Sequence, residues 1–66
     1  MKLKEWRNIK GMSQEEFASL MNQHSKKRKY NQENICQWEN GVTPRKPELL
    51  LIAKVTKKKV TALDFL

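Results

Sequence analysis

Gln32, Glu33 and Gln37 are the side chains of this sequence best placed to do chemistry on a partner, and that chemistry is hydrogen bonding rather than catalysis. A carboxamide donates and accepts side by side, which matches the N6 and N7 edge of adenine in the DNA major groove, and a carboxylate accepts from cytosine N4. A helix from about 32 to 39 would put all three on one face, because Ile35 and Trp38, three residues apart, mark the face that a small domain buries. A solvated helix rich in Gln has the same composition, so this face alone leaves both readings open.

The elements that would position these residues have clear local signals. Asn31 is suited to the N-cap of that helix and Gly41 to the left-handed position after it, with Tyr30 and Ile35 at the spacing of a hydrophobic staple. Upstream, Ser13 and Glu16 have the spacing of a capping box and Met12 and Phe17 that of a staple, which predicts a second helix from about 14 to 22 with Phe17, Ala18, Leu20 and Met21 inward. Gln14 stands in its first turn. Backbone amides at a helix start, joined by such a side chain, make a phosphate contact; a solvated first-turn residue explains Gln14 equally well. Between the two helices lies a polar stretch from Asn22 to Tyr30, read as a loop, carrying Lys26, Lys27, Arg28 and Lys29. Like charges in a row are usually solvated. If DNA is the partner, this loop feeds the start of the third helix and can neutralise phosphates.

The remaining segments also read as helix. Leu3, Trp6 and Ile9 form a stripe ended by Gly11, with Lys4, Arg7, Asn8 and Lys10 outside it. Val42 to Pro47 is a turn with Arg45 and Lys46 exposed, and Pro47 fits the first position of a fourth helix, followed by Glu48. Leu49, Ile52, Ala53 and, by position, Leu50 would face inward. Lys57 to Lys59 is a second basic connection. Thr61 and Asp64 repeat the capping-box spacing before a last short helix holding Leu63, Phe65 and Leu66. An apolar chain end usually docks somewhere: it either completes the core or meets a second copy. No segment alternates with period two, so the fold is all-α.

Fourteen Lys and Arg against seven Asp and Glu leave a formal charge of +7, a balance suited to nucleic acid or another anionic surface. One Cys and one His provide neither a disulfide nor a set of metal ligands, and no Gly-rich phosphate loop is present, so no cofactor, no metal and no enzymatic activity are expected. Cys36 reads as a small residue on the partly exposed side of its helix. No apolar run approaches the length of a membrane span or a signal segment, so the expected location is the cytoplasm.

Taken together, Gly11-Met-Ser-Gln-Glu-Glu-Phe-Ala18, Ile35-Cys-Gln-Trp-Glu-Asn-Gly41, Leu49-Leu-Leu-Ile-Ala-Lys54 and the closing Val60 to Leu66 resemble the lambdoid phage repressor and Cro-like, XRE-type helix-turn-helix family over nearly the whole chain. The resemblance implies a five-helix, lambda-repressor-like DNA-binding domain spanning residues 1–66, with the third helix in the major groove and the first turn of the second against the backbone. By position, Gln14 resembles a residue that bonds phosphate and steadies the first base reader. Gln32, Glu33 and Gln37 resemble base readers, with Asn34 beside them. Asn40, Thr43 and Arg45, with Lys46 next to them, resemble residues that hold phosphate. The family also implies a homodimer on a near-palindromic double-stranded operator, in a prokaryotic or phage-infected cell; if the apolar chain end meets a second copy, Leu63, Phe65 and Leu66 are the candidate dimer contact. One departure stands out: the family joins the two central helices by a tight turn containing Gly, whereas here the connection is extended and basic.

The leading expectation is therefore a transcriptional regulator, repressor-like or Cro-like, that recognises specific DNA sequences. A protein-interaction module of the same fold, antitoxin-like, would carry apolar residues on the outer face of the third helix. A sequence-tolerant nucleic-acid binder would depend on the basic loops and lose little when Gln32 or Gln37 is removed.

Overall fold

The two central helices begin where a side chain takes over an unpaired backbone amide. The structure, a computed structural model, describes residues 1–65 and contains α1 (Leu3–Ile9), α2 (Gln14–His24), α3 (Gln32–Glu39) and α4 (Lys46–Val55), followed by a 3-10 helix (Ala62–Phe65). No strand occurs among the described residues. Ser13 Oγ accepts from the Glu16 amide at 3.0 Å while the Ser13 amide donates to Glu16 Oε1 at 2.8 Å, closing the capping box of α2. Asn31 and Asn34 close the corresponding box on α3, at 3.1 and 2.9 Å. At the far end of α3, Gly41 takes φ +106° and the Val42 amide donates to the Gln37 carbonyl at 3.0 Å, the long bond of a Schellman motif.

The core is Leu3, Trp6, Phe17, Ala18, Met21, Ile35, Trp38, Ile52 and Val60, one cluster fed by all four α-helices. Trp6 meets Phe17 edge-on, with centroids 5.8 Å apart and planes at 76°. α2 packs on both α3 and α4, and the buried Ala18 leaves room for a neighbouring backbone.

Several expectations are corrected. Ile9 is 68% exposed and Arg7 is buried instead. The cause is the helical step of about 100° per residue: relative to Leu3, Trp6 and Arg7 straddle the inner face, whereas Ile9 has rotated about 120° away from it. α2 runs on to His24 rather than ending near residue 22, since Asn22 to His24 contain no breaker and the backbone turns extended only at Ser25. α4 starts at Lys46, so Pro47 is its second residue, not its first. Leu50 is 64% exposed, while Leu51 and Val55 pack on the core. The fifth element is a 3-10 helix of four residues rather than an α-helix, little more than one turn long. Leu66 lies outside the described residues.

Between α4 and this turn the chain reverses through Lys57 (φ 55°) and Lys58 (φ 66°), both left-handed. The buried Thr56 holds the reversal: its hydroxyl donates to the Ile52 carbonyl at 2.7 Å and accepts from the Val60 amide at 3.1 Å. Among the described residues no helix is long and apolar enough to cross a membrane.

Candidate nucleic-acid interface

α3 buries Ile35 and Trp38 and turns Gln32, Glu33 and Gln37 to solvent. At about 100° per residue these three occupy one arc, and Cys36 and Asn40 fall within it. Cys36 is half-buried and its thiol is free; residue type alone assigns it no role, although it shares the face of Gln32 and Gln37. Asn34 lies off this arc, and its Oδ1 is engaged with the Asn31 amide at 2.9 Å, inside the capping box.

Beneath Gln32 runs a chain of hydrogen bonds that begins in α1. Arg7 forks onto Glu39, Nε to Oε2 at 2.8 Å and a terminal nitrogen to Oε1 at 3.0 Å, and its other terminal nitrogen donates to the Met12 carbonyl at 2.8 Å. The two side chains are only 10% and 4% exposed. Gln14 Nε2 donates to Glu39 Oε1 at 3.1 Å, and Gln14 Oε1 accepts from Gln32 Nε2 at 3.3 Å. Burial pushes the Glu39 carboxyl up, but the hydrogen bonds from Arg7 and Gln14 and the nearby charges of Arg7 and Lys4 outweigh it and hold the group below its ordinary value. Gln14 is half-buried and joined to its neighbours, so it is more than a solvated first-turn residue.

Thr43, Arg45 and Lys46 are exposed where the chain leaves α3 and enters α4, and Arg45 is the N-cap residue of α4 without a side-chain capping bond. Asn40 is exposed too, but its Nδ2 donates to the Cys36 carbonyl at 2.7 Å, spending one donor on the end of α3. Lys26, Lys27, Arg28 and Lys29 are exposed on the segment joining α2 to α3. Away from this surface, Leu63 is 76% exposed and Phe65 packs partly on the core. The N-terminal amine pairs with Asp64 at 2.9 Å. Among the described residues no cluster of His, Cys, Asp or Glu could hold a metal ion.

Two helices locked by apolar packing, the second displaying polar side chains and the first sending Gln14 to meet Gln32, define a helix-turn-helix. A family model described as helix-turn-helix matches residues 3–63, and the chain belongs to that family, in its XRE-type, Cro-like form. Its members are DNA-binding regulators of transcription, and this chain is one in that general sense. Comparison with curated proteins and with solved structures gave no match.

Proposed function

We propose that the protein is a sequence-specific regulator, repressor-like or Cro-like, that inserts α3 into the major groove of double-stranded DNA. The observation that carries this reading is the polar face of α3, with Gln32 held from behind by Gln14, Glu39 and Arg7. Pre-orientation lowers the cost of ordering a long side chain on binding. Gln32 Nε2 has two hydrogens: one meets Gln14, and the other is free for adenine N7 while Oε1 accepts from N6.

In this reading Gln32, Glu33 and Gln37 meet bases, and Asn34, with its Oδ1 held in the capping box, reaches one only through its Nδ2. Gln14, Asn40, Thr43, Arg45 and Lys46 meet phosphates, as do Lys26, Lys27, Arg28 and Lys29. The protein works as a homodimer on a near-palindromic operator, with Leu63 and Phe65 between the copies. The exposed side chains of α3 are polar, which favours a groove over an apolar protein partner. The exposed lysines of the connecting segment support one rival reading, a binder indifferent to sequence.

Selecting sites from a randomised duplex pool separates the two. A near-palindromic site with half-sites about 34–36 Å apart is the expected result. Enrichment of no sequence, with affinity that simply collapses as salt rises, would assign binding to the basic segment instead.

A further inference from the structure

Asn22 and Tyr30 grip each other across the basic segment. The Asn22 Nδ2 donates to the Tyr30 carbonyl at 2.9 Å and its Oδ1 accepts from the Tyr30 amide at 2.7 Å, so one side-chain amide pairs with a backbone as a neighbouring peptide would. Tyr30 is fastened twice more. Its hydroxyl donates to Glu48 Oε2 at 2.9 Å, and its ring lies against Trp38 with centroids 5.7 Å apart. One residue is thereby tied to α2, α3 and α4. Glu48 is 4% exposed, and a buried carboxylate is costly unless it is hydrogen-bonded, so the tie to the Tyr30 hydroxyl is a strong restraint. Burial and the adjacent Glu48 carboxylate push the Tyr30 phenol above its ordinary value, against the opposing charge of Arg28.

The residue after Tyr30 is Asn31, whose Oδ1 caps α3, so whatever fixes Tyr30 fixes where α3 begins. The hydrogen bonds of Ser25 with Arg28, at 2.7 and 3.2 Å, stay within the basic segment. A tight turn sets the angle between two helices by its own backbone, whereas a longer connection leaves many arrangements open at small entropic cost. Something outside the connection must then choose among them.

We infer that the Asn22–Tyr30 clamp, braced by Glu48, sets the start of α3 and hence its register on DNA, separating base reading by α3 from phosphate attraction by the basic segment. This rests on the DNA reading above. Asn22, Tyr30 and Glu48 are positioning residues: they act through α3 and need not touch DNA.

Two clamp variants and one charge variant test it. Asn22→Asp is isosteric but sets a carboxylate oxygen against the Tyr30 carbonyl; Tyr30→Phe keeps the ring on Trp38 and loses only the hydroxyl. For each, affinity is measured for the selected site and a scrambled one at two salt concentrations. Amide exchange at Asn34 and Ile35 is followed in the free protein. Asn22→Asp is expected to lower the ratio of the two affinities about tenfold, the scale of one bidentate base contact. It should leave the salt dependence unchanged and speed exchange at Asn34 and Ile35 relative to Leu20 and Met21. Tyr30→Phe should do the same to a smaller degree, and it carries the test if Asn22→Asp does not fold. Lys26→Gln, Lys27→Gln and Lys29→Gln combined should weaken both sites equally and flatten the salt dependence. Clamp variants with the original ratio and the original exchange rates would overturn the inference. If the unaltered protein shows no preference between sites, the DNA reading fails instead, and the exchange rates still decide: faster exchange supports the clamp, unchanged rates overturn it.

Discussion

Glu39 closes α3 with a charge that the fold almost entirely encloses. A carboxylate can only accept, so it obliges Arg7 and Gln14 to face it with nitrogen and leaves Gln14 Oε1 for Gln32. Removing one partner of a buried pair strands the other, at about 3–5 kcal/mol. Arg7→Met is accordingly expected to lower unfolding free energy by about 3 kcal/mol in urea titration; a loss below about 1 kcal/mol, the range of surface pairs, would show the bridge to be idle. The pH dependence has a definite sign. Because the folded state holds Glu39 below its ordinary value, its contribution is complete above the unfolded glutamate pKa of about 4.3 and is lost as pH falls through the lower folded value. Glu39→Gln should flatten that acid limb of stability against pH, and an unaltered limb would contradict the assignment. Little of this is legible in the sequence. Arg7 reads as surface because a three-residue recurrence draws attention to Ile9, and no local rule links residues 7 and 39. Gln32 and Gln37 are legible, since an amide opposite a buried aromatic is a local pattern.

Helix ends are local chemistry, which is why α3 can be read from Asn31 and Gly41 and α2 begun at Ser13. Ser13→Ala should cost about 1 kcal/mol, read by chemical denaturation, because the Glu16 amide then has no partner in the box. The end of α2 is harder, because nothing in Asn22–His24 forbids one more turn. In α4 four apolar residues in succession, Leu49 to Ile52, cannot say which of them face inward, and Leu50 lies outside. The reversal after α4 gives no warning either, since Lys is a poor left-handed residue and Thr56 imposes the turn only through tertiary packing. Lys58→Gly should relieve this strain and raise stability by about 0.5–1 kcal/mol, the left-handed penalty less the entropy that Gly adds to the unfolded chain. A loss of stability would show that the turn is not strained.

On the scale of the whole molecule, a charge of +7 is distributed so that Lys26 to Lys29 and Arg45 with Lys46 flank α3 from both ends. Charge of this kind attracts any nucleic acid, and only the face of α3 can choose among sequences. The overall helical architecture is foreseeable from apolar spacing; the clamp at Tyr30 is not, because it joins residues 22, 30, 38 and 48 from four separate stretches of chain. Neutralising Lys26, Lys27 and Lys29 should shallow the slope of log affinity against log salt by about 0.9 for each DNA phosphate that these lysines pair with, and an unchanged slope would place them away from the DNA backbone.

That α3 reads bases is tested most directly by titrating the protein and its Gln32→Ala variant against the selected site and the same site changed one base pair at a time. The expected result is a loss of about 1–3 kcal/mol for Gln32→Ala, accompanied by indifference to substitution at one particular base pair. A variant that binds every duplex as the unaltered protein does, with the same discrimination at every position, would contradict base reading by α3.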